Sequence, residues 1–199
     1  PPRSTLFPYT TLFRSVTDLA QSPLAPNIMY YCSGEASGNS ADITGEGVFK
    51  SADGGMTWFH LPATDSDIFE LNWAVRCSPL DSSTVYVATH NHGLWRSTNG
   101  GGTFSRVCHP AGPSHVTDLE ILPNGTVICG IRERGIWYST TGDTGTFVQS
   151  TAGLPANGFK AIRIAYCKNQ PSVVYAALEN AGQDAYYSEL KGIYRSNDG

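Results

Sequence analysis

Gly47-Val-Phe-Lys-Ser51-Ala-Asp53-Gly-Gly55-Met-Thr57-Trp58 is the stretch on which the reading turns, because the chain repeats it. Gly93-Leu-Trp-Arg-Ser97-Thr-Asn99-Gly-Gly101-Gly-Thr103-Phe104 matches it, with Asn99 and Phe104 in place of Asp and Trp. A third copy, Gly135-Ile-Trp-Tyr-Ser139-Thr-Thr141-Gly-Asp143-Thr-Gly145-Thr146-Phe147, carries one extra residue. A fourth begins at Gly192-Ile-Tyr-Arg-Ser196-Asn-Asp198-Gly199. The four serines lie 46, 42 and 57 residues apart. A unit recurring at this period marks a repeat architecture, in which one small supersecondary element is copied along the chain.

Working outward from each copy, two further runs rich in β-branched and aromatic residues precede it, separated by turn formers. They are 16–20 and 28–32, 69–75 and 84–88, 115–122 and 126–130, and 160–166 and 173–177. Each unit therefore predicts strands A, B and C, a tight turn, and a D strand such as 57–61. Four antiparallel strands per roughly 40–45 residues is the blade of a β-propeller. The expected fold is all-β: an incomplete propeller of about 3.5 four-stranded blades, with units at about 16–62, 68–107, 114–150 and 159–199.

The turn between C and D has its own chemistry. An Asp or Asn oxygen at the third position accepts backbone N–H groups of its loop, and the glycines that follow supply positive φ. The aromatic at the eighth position, Trp58 or Phe104, leads into strand D and can pack on a neighbouring sheet. The pattern S-x-D-x-G-x-T-W resembles the Asp-box, or BNR, repeat of sialidases, xyloglucan-active glycoside hydrolases, sortilin-type receptors and photosystem II assembly factors. The resemblance implies that Ser51, Asp53, Gly55, Thr57, Trp58, Ser97, Asn99, Gly101, Thr103, Phe104, Ser139, Asp143, Ser196 and Asp198 are scaffolding in this role. It covers residues 16–199 and selects no function, because the same box serves all of those families.

Composition narrows the classes. The 199 residues are 40% hydrophobic and 15% charged, with 21 Gly and 12 Pro, which excludes a disordered chain or coiled coil and points to many turns. A net charge of -4 with no basic cluster argues against nucleic acid. No apolar run reaches the roughly 20 residues of a membrane helix. Residues 1–15 stand apart: Thr5-Leu-Phe7 recurs as Thr11-Leu-Phe13, and nothing later resembles it. Thr5–Ser15 resembles the translation of a short-read sequencing adapter, so residues 1–15 are read as a non-native segment. The alternatives are an apolar arm or a degraded signal peptide. With the fourth copy cut short at Gly199, the expectation is an internal fragment of a longer protein.

Repetition separates scaffold from site. Phe49, Trp95, Trp137 and Tyr194 share one C-strand position and read as packing. Lys50, Arg96 and Arg195 precede the box serine and read as solvated strand positions. Cys32, Ala88, Gly130 and Ala177 share a B-strand position that demands a small side chain. The five cysteines (32, 77, 108, 129 and 167) contain no C-x-x-C and form an odd set, so mostly buried thiols are expected. Asn124-Gly-Thr126 fits a glycosylation sequon but sits where an A–B hairpin turn is needed.

What varies is the B–C loop, long at 33–46 and 179–191 and short at 89–92 and 131–134. In an up-and-down blade the B–C and D–A connections share one face, opposite the boxes, and loops are where function concentrates. Candidates there are Glu35, Asp42 and Glu46; Asp65 and Asp67; and Glu179, Asp184, Tyr186, Tyr187 and Glu189. A glycosidase would draw its acid and base from such carboxylates. The tyrosines and Trp73 could stack on sugar rings or simply pack the loops. His90-Asn-His92 places two imidazoles at strand spacing, but a zinc site normally takes at least three protein ligands, and none completes it. Arg132-Glu-Arg134 reads as an anion site or an ion pair.

Two functions remain. In one, the parent is a non-catalytic secreted or surface propeller that binds protein or glycan through its B–C loops. In the other it resembles the xyloglucanases, whose blade pattern V-x-x-I-A…V-Y-A…G-V-[FW]-[RK]-S-x-D-G-G-x-T-W this chain follows. That family sets two aspartates across a cleft between two propellers, so a piece of one propeller holds at most one of them. No cofactor or metal is expected, and an extracellular or surface location follows from resemblance alone. A sialidase fits less well, because no arginine triad stands outside the repeat positions.

Overall fold

The computed structural model describes residues 16–34, 43–181 and 189–198. Glu35, Asp42, Asp184, Tyr186 and Tyr187, together with the segment 1–15, lie outside the described residues. The chain folds as an all-β propeller arc of four consecutive antiparallel sheets. The first holds β1 (Val16–Gln21), β2 (Met29–Ser33), β3 (Val48–Ser51) and β4 (Phe59–His60). The second holds β5 (Asn72–Cys77), β6 (Val85–Thr89), β7 (Leu94–Ser97) and β8 (Ser105–Cys108). The third holds β9 (Val116–Ile121), β10 (Val127–Ile131), β11 (Gly135–Ser139) and β12 (Val148–Ser150). Among the described residues the fourth has three strands, β13 (Phe159–Cys167), β14 (Gln170–Asn180) and β15 (Leu190–Ser196). Strand order follows chain order in every sheet.

Three cores result, one between each pair of neighbouring sheets. Tyr30, Cys32 and Val48 of the first sheet meet Val75, Val85 and Val87 of the second. The other face of the second sheet, with Ala74, Tyr86, Ala88 and Leu94, meets Val116, Leu119, Val127 and Cys129 of the third. Ile128 and Ile136 then meet Ile162, Ile164 and Val174 of the fourth. The repeated small B-strand residue is explained here: a Cβ added at Gly130 would lie 2.7 Å from the Ile162 Cβ of the next sheet. All five cysteines are free thiols, three of them buried.

The innermost strands are also stitched by charge. Asp18 accepts from the Val75 N–H at 3.0 Å and pairs with Arg76, whose other end lies 3.6 Å from Glu120. One guanidinium thus spans three sheets. Asp118, at the same A-strand position as Asp18, accepts from the Ile164 N–H at 2.7 Å.

The serine turns follow their sequence closely in the first two copies. The Ser51 hydroxyl oxygen accepts from the N–H groups of Asp53 and Gly55, while the Asp53 carboxylate accepts from the Ser51 hydroxyl and from the Thr57 N–H and hydroxyl. Ser97, Asn99, Gly101 and Thr103 repeat the arrangement with an amide oxygen. Gly54, Gly55, Gly100 and Gly101 take φ of +74°, +91°, +68° and +94°, a region L side chains avoid. In the third copy Thr141, not Asp143, stands at the third position, and Ser139 bonds Thr146. The Asp143 carboxylate reaches Arg96 of the preceding sheet, at 2.5 Å. In the fourth, the Ser196 hydroxyl donates to Asp198.

Three expectations need correction. The strand read over 57–61 is only Phe59–His60, because Thr57 is bound to Asp53 and the Trp58 indole N–H to the Gly55 carbonyl. The strand read from Phe69 starts at Asn72. Phe69 ends a short 3₁₀ turn, Asp67–Phe69, and plugs the first core against Trp95 and Phe104, while the Asn72 amide donates to the Phe69 and Ser33 carbonyls. Lys50 and Arg96 are half-buried and engaged, not free in solvent. Lys50 donates to the Gly100 carbonyl of the next sheet at 2.9 Å, and Arg96 binds Asp143, so both cross a blade boundary. Arg195 is exposed, as read.

Leu119→Ala removes a fully buried side chain from the second core and is expected to cost about 2–5 kcal/mol in urea denaturation. Met56→Ala, at an exposed turn, is expected to stay within about 0.5 kcal/mol. The Asp53 carboxyl is held at about 2, chiefly by the Thr57 hydroxyl and N–H, below its ordinary 3.8. Its folded pKa is depressed, so its contribution is complete above the unfolded value and is lost as pH falls through the folded one. Thermal midpoints should therefore fall between pH 3.8 and about 2. Asp53→Asn should shrink that fall, and an unchanged acid limb would contradict the assignment.

Candidate functional site

The face carrying the B–C and D–A connections is built by cross-links between neighbouring sheets. The short loop after β6 is tied to the link before β9: the Gly93 N–H donates to the Ser114 carbonyl at 2.9 Å, and the Ser114 N–H donates to Asn91 at 3.2 Å. The loop after β10 reaches the same link, with the Arg132 N–H donating to the His115 carbonyl at 2.9 Å. His115 is therefore fixed between two loops, and His90 is brought onto it. Their rings meet edge to face, with centroids 4.3 Å apart. Trp73, at the start of β5, lies 6.3 Å from the His90 ring. Arg163 of β13 sits 5.7 Å from the Trp73 ring and donates to the Thr117 carbonyl at 2.8 Å. Four residues from three sheets form one aromatic and cationic group around the inner strands.

Two polar atoms of this group, Trp73 Nε1 and His115 Nδ1, are buried without a hydrogen-bond partner among the described residues. Leaving such groups unpaired costs about 1–3 kcal/mol each. Burial, followed by the neighbouring His90 and Arg132, pushes the His115 pKa down to about 4 despite Glu133. The ring is thus neutral near pH 7, with one nitrogen able to accept and the other to donate. Ring faces, an indole N–H and a neutral imidazole are suited to a neutral polar ligand.

The sequence-read candidates fall in different places. His90 and His92 lie in the turn between β6 and β7, where the His92 carbonyl accepts from the Trp95 indole at 3.0 Å. The His90 ring packs on His115, which the sequence reading did not single out, and its Nδ1 lies 3.2 Å from the Asn91 amide. No group of three or more metal-ligating side chains occurs among the described residues. Arg132 lies 3.8 Å from Glu133, an ion pair within its own loop, and the Arg134 carbonyl accepts from the Trp137 indole and the Gln149 amide. Glu46, Asp65 and Asp67 are exposed on the first sheet's loops. Glu179 accepts from the Ala161 N–H at the end of the fourth sheet, and Asn124 forms the expected A–B turn.

A cavity of about 700 Å³ opens between the third and fourth sheets, lined by Tyr138, Leu154, Tyr194 and Asp198 among others. It continues the third core outward. No helix among the described residues is long and apolar enough to cross a membrane.

No known family profile matches the sequence. No curated protein matches it either. Solved structures do. The chain is similar to an ancestral GH74 enzyme, with a TM-score of 0.66 and 19% identity, over 92% of this chain and 27% of that one. It is similar to a GH74 enzyme from Niastella koreensis, with a TM-score of 0.66 and 24% identity, over 91% of this chain and 28% of that one. A GH74 xyloglucanase from Xanthomonas campestris gives a TM-score of 0.61 and 17% identity, over 91% and 28%. At these identities the likeness speaks to fold, and the chain spans little more than a quarter of the length of these enzymes.

His115 has a folded pKa below the ordinary 6.5, so its neutral form stabilises the fold, and that stability is lost as pH falls from 6.5 through about 4. An NMR titration should place the His115 ring near 4. His115→Gln should flatten the stability profile across that window, and a ring titrating at 6.5 would refute the burial argument.

Proposed function

We propose that this chain is part of a secreted or surface Asp-box propeller that binds a glycan through its B–C and D–A loop face, without itself carrying out catalysis. The observation that supports it is the Trp73–His90–His115 group, three half-buried rings on the loop face with two unpartnered ring nitrogens. Sugar rings present an apolar face and a rim of hydroxyls, which match a stacking aromatic flanked by a donor and an acceptor. The Asp-box assignment rests on the serine turns, where hydroxyl and carboxylate replace the hydrogen bonds that a tight, glycine-rich loop cannot make for itself. These residues serve the scaffold and contribute nothing to the ligand.

A second reading is favoured by the GH74 likeness of the fold: a portion of a glycoside hydrolase active on xyloglucan. Glu46, Asp65 and Asp67 supply carboxylates on the appropriate face, and each would have to meet a partner outside the described residues.

Calorimetric titration with xyloglucan and other β-glucan oligosaccharides tests both. Binding is expected, with Trp73→Ala lowering affinity about tenfold, equivalent to about 1.4 kcal/mol of lost stacking. Absence of binding to any oligosaccharide, or binding that ignores Trp73, would overturn the first reading. Release of reducing ends by this chain would replace it with the second.

A further inference from the structure

We infer that Cys108 and Cys129 are a modification site, a pair of thiols that closes into one disulfide between the second and third sheets when the chain folds in an oxidising thiol–disulfide pool. Cys108 ends β8, the outermost strand of the second sheet, and Cys129 sits in the middle of β10, the second strand of the third. Both side chains enter the core between those two sheets, at 3% and 0% exposure. There the two thiols are in hydrogen-bonding contact with each other. The contact lies inside the arc, with both of its walls formed by described strands.

The other three cysteines have different surroundings. Cys32 lies against the Thr17 hydroxyl and the Asp18 carbonyl, Cys77 lies near Tyr30 and Arg76, and Cys167 ends β13. The five thiols thus divide into one pair and three single ones, which accounts for their odd number. The repeat itself does not ask for sulfur at either place. Opposite the C-strand aromatic, where Cys129 faces Trp137, the other sheets carry Tyr31, Val87 and Ala176. Cys108 stands opposite Leu94, and at that position the first sheet has Leu61 and the third Ser150. Two cysteines, each unmatched at its own repeat position, meet across one blade boundary.

Closure takes two exchanges with a low-molecular-weight disulfide, here oxidised glutathione. One cysteine thiolate attacks it, releasing one glutathione and leaving a mixed disulfide. The second cysteine thiolate attacks the protein sulfur of that adduct, forming the Cys108–Cys129 bond and releasing the other glutathione. The two cysteines give up two electrons and two protons, and the two glutathiones carry them away as thiols. Because both sulfurs are buried in the finished core, the exchange belongs to the folding chain, before the sheets close over them. The bond fastens a weakly held element. Within its sheet β8 pairs with β7 alone, and Cys108 is the root of the link that carries Ser114 and His115 to the loop face.

Refolding the 199-residue chain from urea in a glutathione redox buffer, in parallel with dithiothreitol, tests this. Thiol counts in denaturant should then give three free cysteines for the first sample and all five for the second. Proteolysis of the oxidised chain should release one disulfide-linked pair of peptides, holding Cys108 and Cys129. The oxidised chain should melt about 5–10 °C above the reduced one, the shift expected for closing a loop of this length in a protein of this size. The double variant Cys108→Ala/Cys129→Ala should keep the far-ultraviolet circular dichroism of the wild type and melt at the same temperature in both buffers. Five free thiols in the glutathione sample, with native circular dichroism, overturn the inference. So does a linked peptide pair that joins any other cysteines, or an oxidised chain that melts below the reduced one.

Discussion

Every sheet in this molecule is apolar on both faces. In the second, Val85 and Val87 enter one core while Tyr86 and Ala88 enter the next. A two-sided sheet cannot satisfy itself by packing on a single neighbour, so each unit must be sandwiched, and a linear copy of such units has to curve and stack. The cores accordingly fall between sheets and not within one centre. Charge follows the same rule: Asp18, Arg76 and Glu120 link three successive inner strands, and the Lys50 and Arg96 clasps link successive outer ones.

Because scaffold residues are bound to their copies, freedom to differ is confined to the loops. The turn after β6 and the turn after β10 are short, so they can be tied by backbone bonds to the link before β9. That tie makes His115 a fixed point and lets His90 and Trp73 collect around it. The resulting group is held by main-chain hydrogen bonds between neighbouring units, a more rigid support than a long loop offers, and rigidity reduces what a ligand must spend on ordering its site.

The repeat was legible because its chemistry is local. Ser51, Asp53, Gly55 and Thr57 act on one another within seven residues, so their spacing survives in the sequence and can be recognised at Ser97 and Ser196. The small B-strand residue was legible as a pattern, although its cause, the Ile162 side chain facing Gly130, lies a blade away. The site was much less legible. Trp73, His90, His115 and Arg163 are separated by up to ninety residues and come from three units, so no window contains them. Trp73 was visible as an aromatic at the right strand end, and His90 was read beside His92, without its contact to His115. His115 gave no signal, because a histidine just before a strand looks like any other until the loops close over it. Lys50 and Arg96 failed for a related reason: a cation at an alternating strand position looks solvated unless the next sheet is known to cover it.

The third serine turn shows which part of the device matters. Its insertion displaces the carboxylate from the third position, and Thr141 takes that place with a hydroxyl. The turn nevertheless keeps its serine acceptor, with the Gly142 N–H on Ser139 at 2.8 Å, and keeps a glycine against Tyr86. What the displaced Asp143 does is bind Arg96, restoring by charge the contact that Lys50 makes with a carbonyl. Two different acceptors, one a backbone oxygen and one a carboxylate, thus satisfy a cation in the same register. A buried tyrosine with a paired cation thus stands at the first two blade boundaries, while Ile128 opposite Tyr138 takes that register at the third, and the acid within the serine turn is one of several ways to keep the turn compact enough to meet its neighbour.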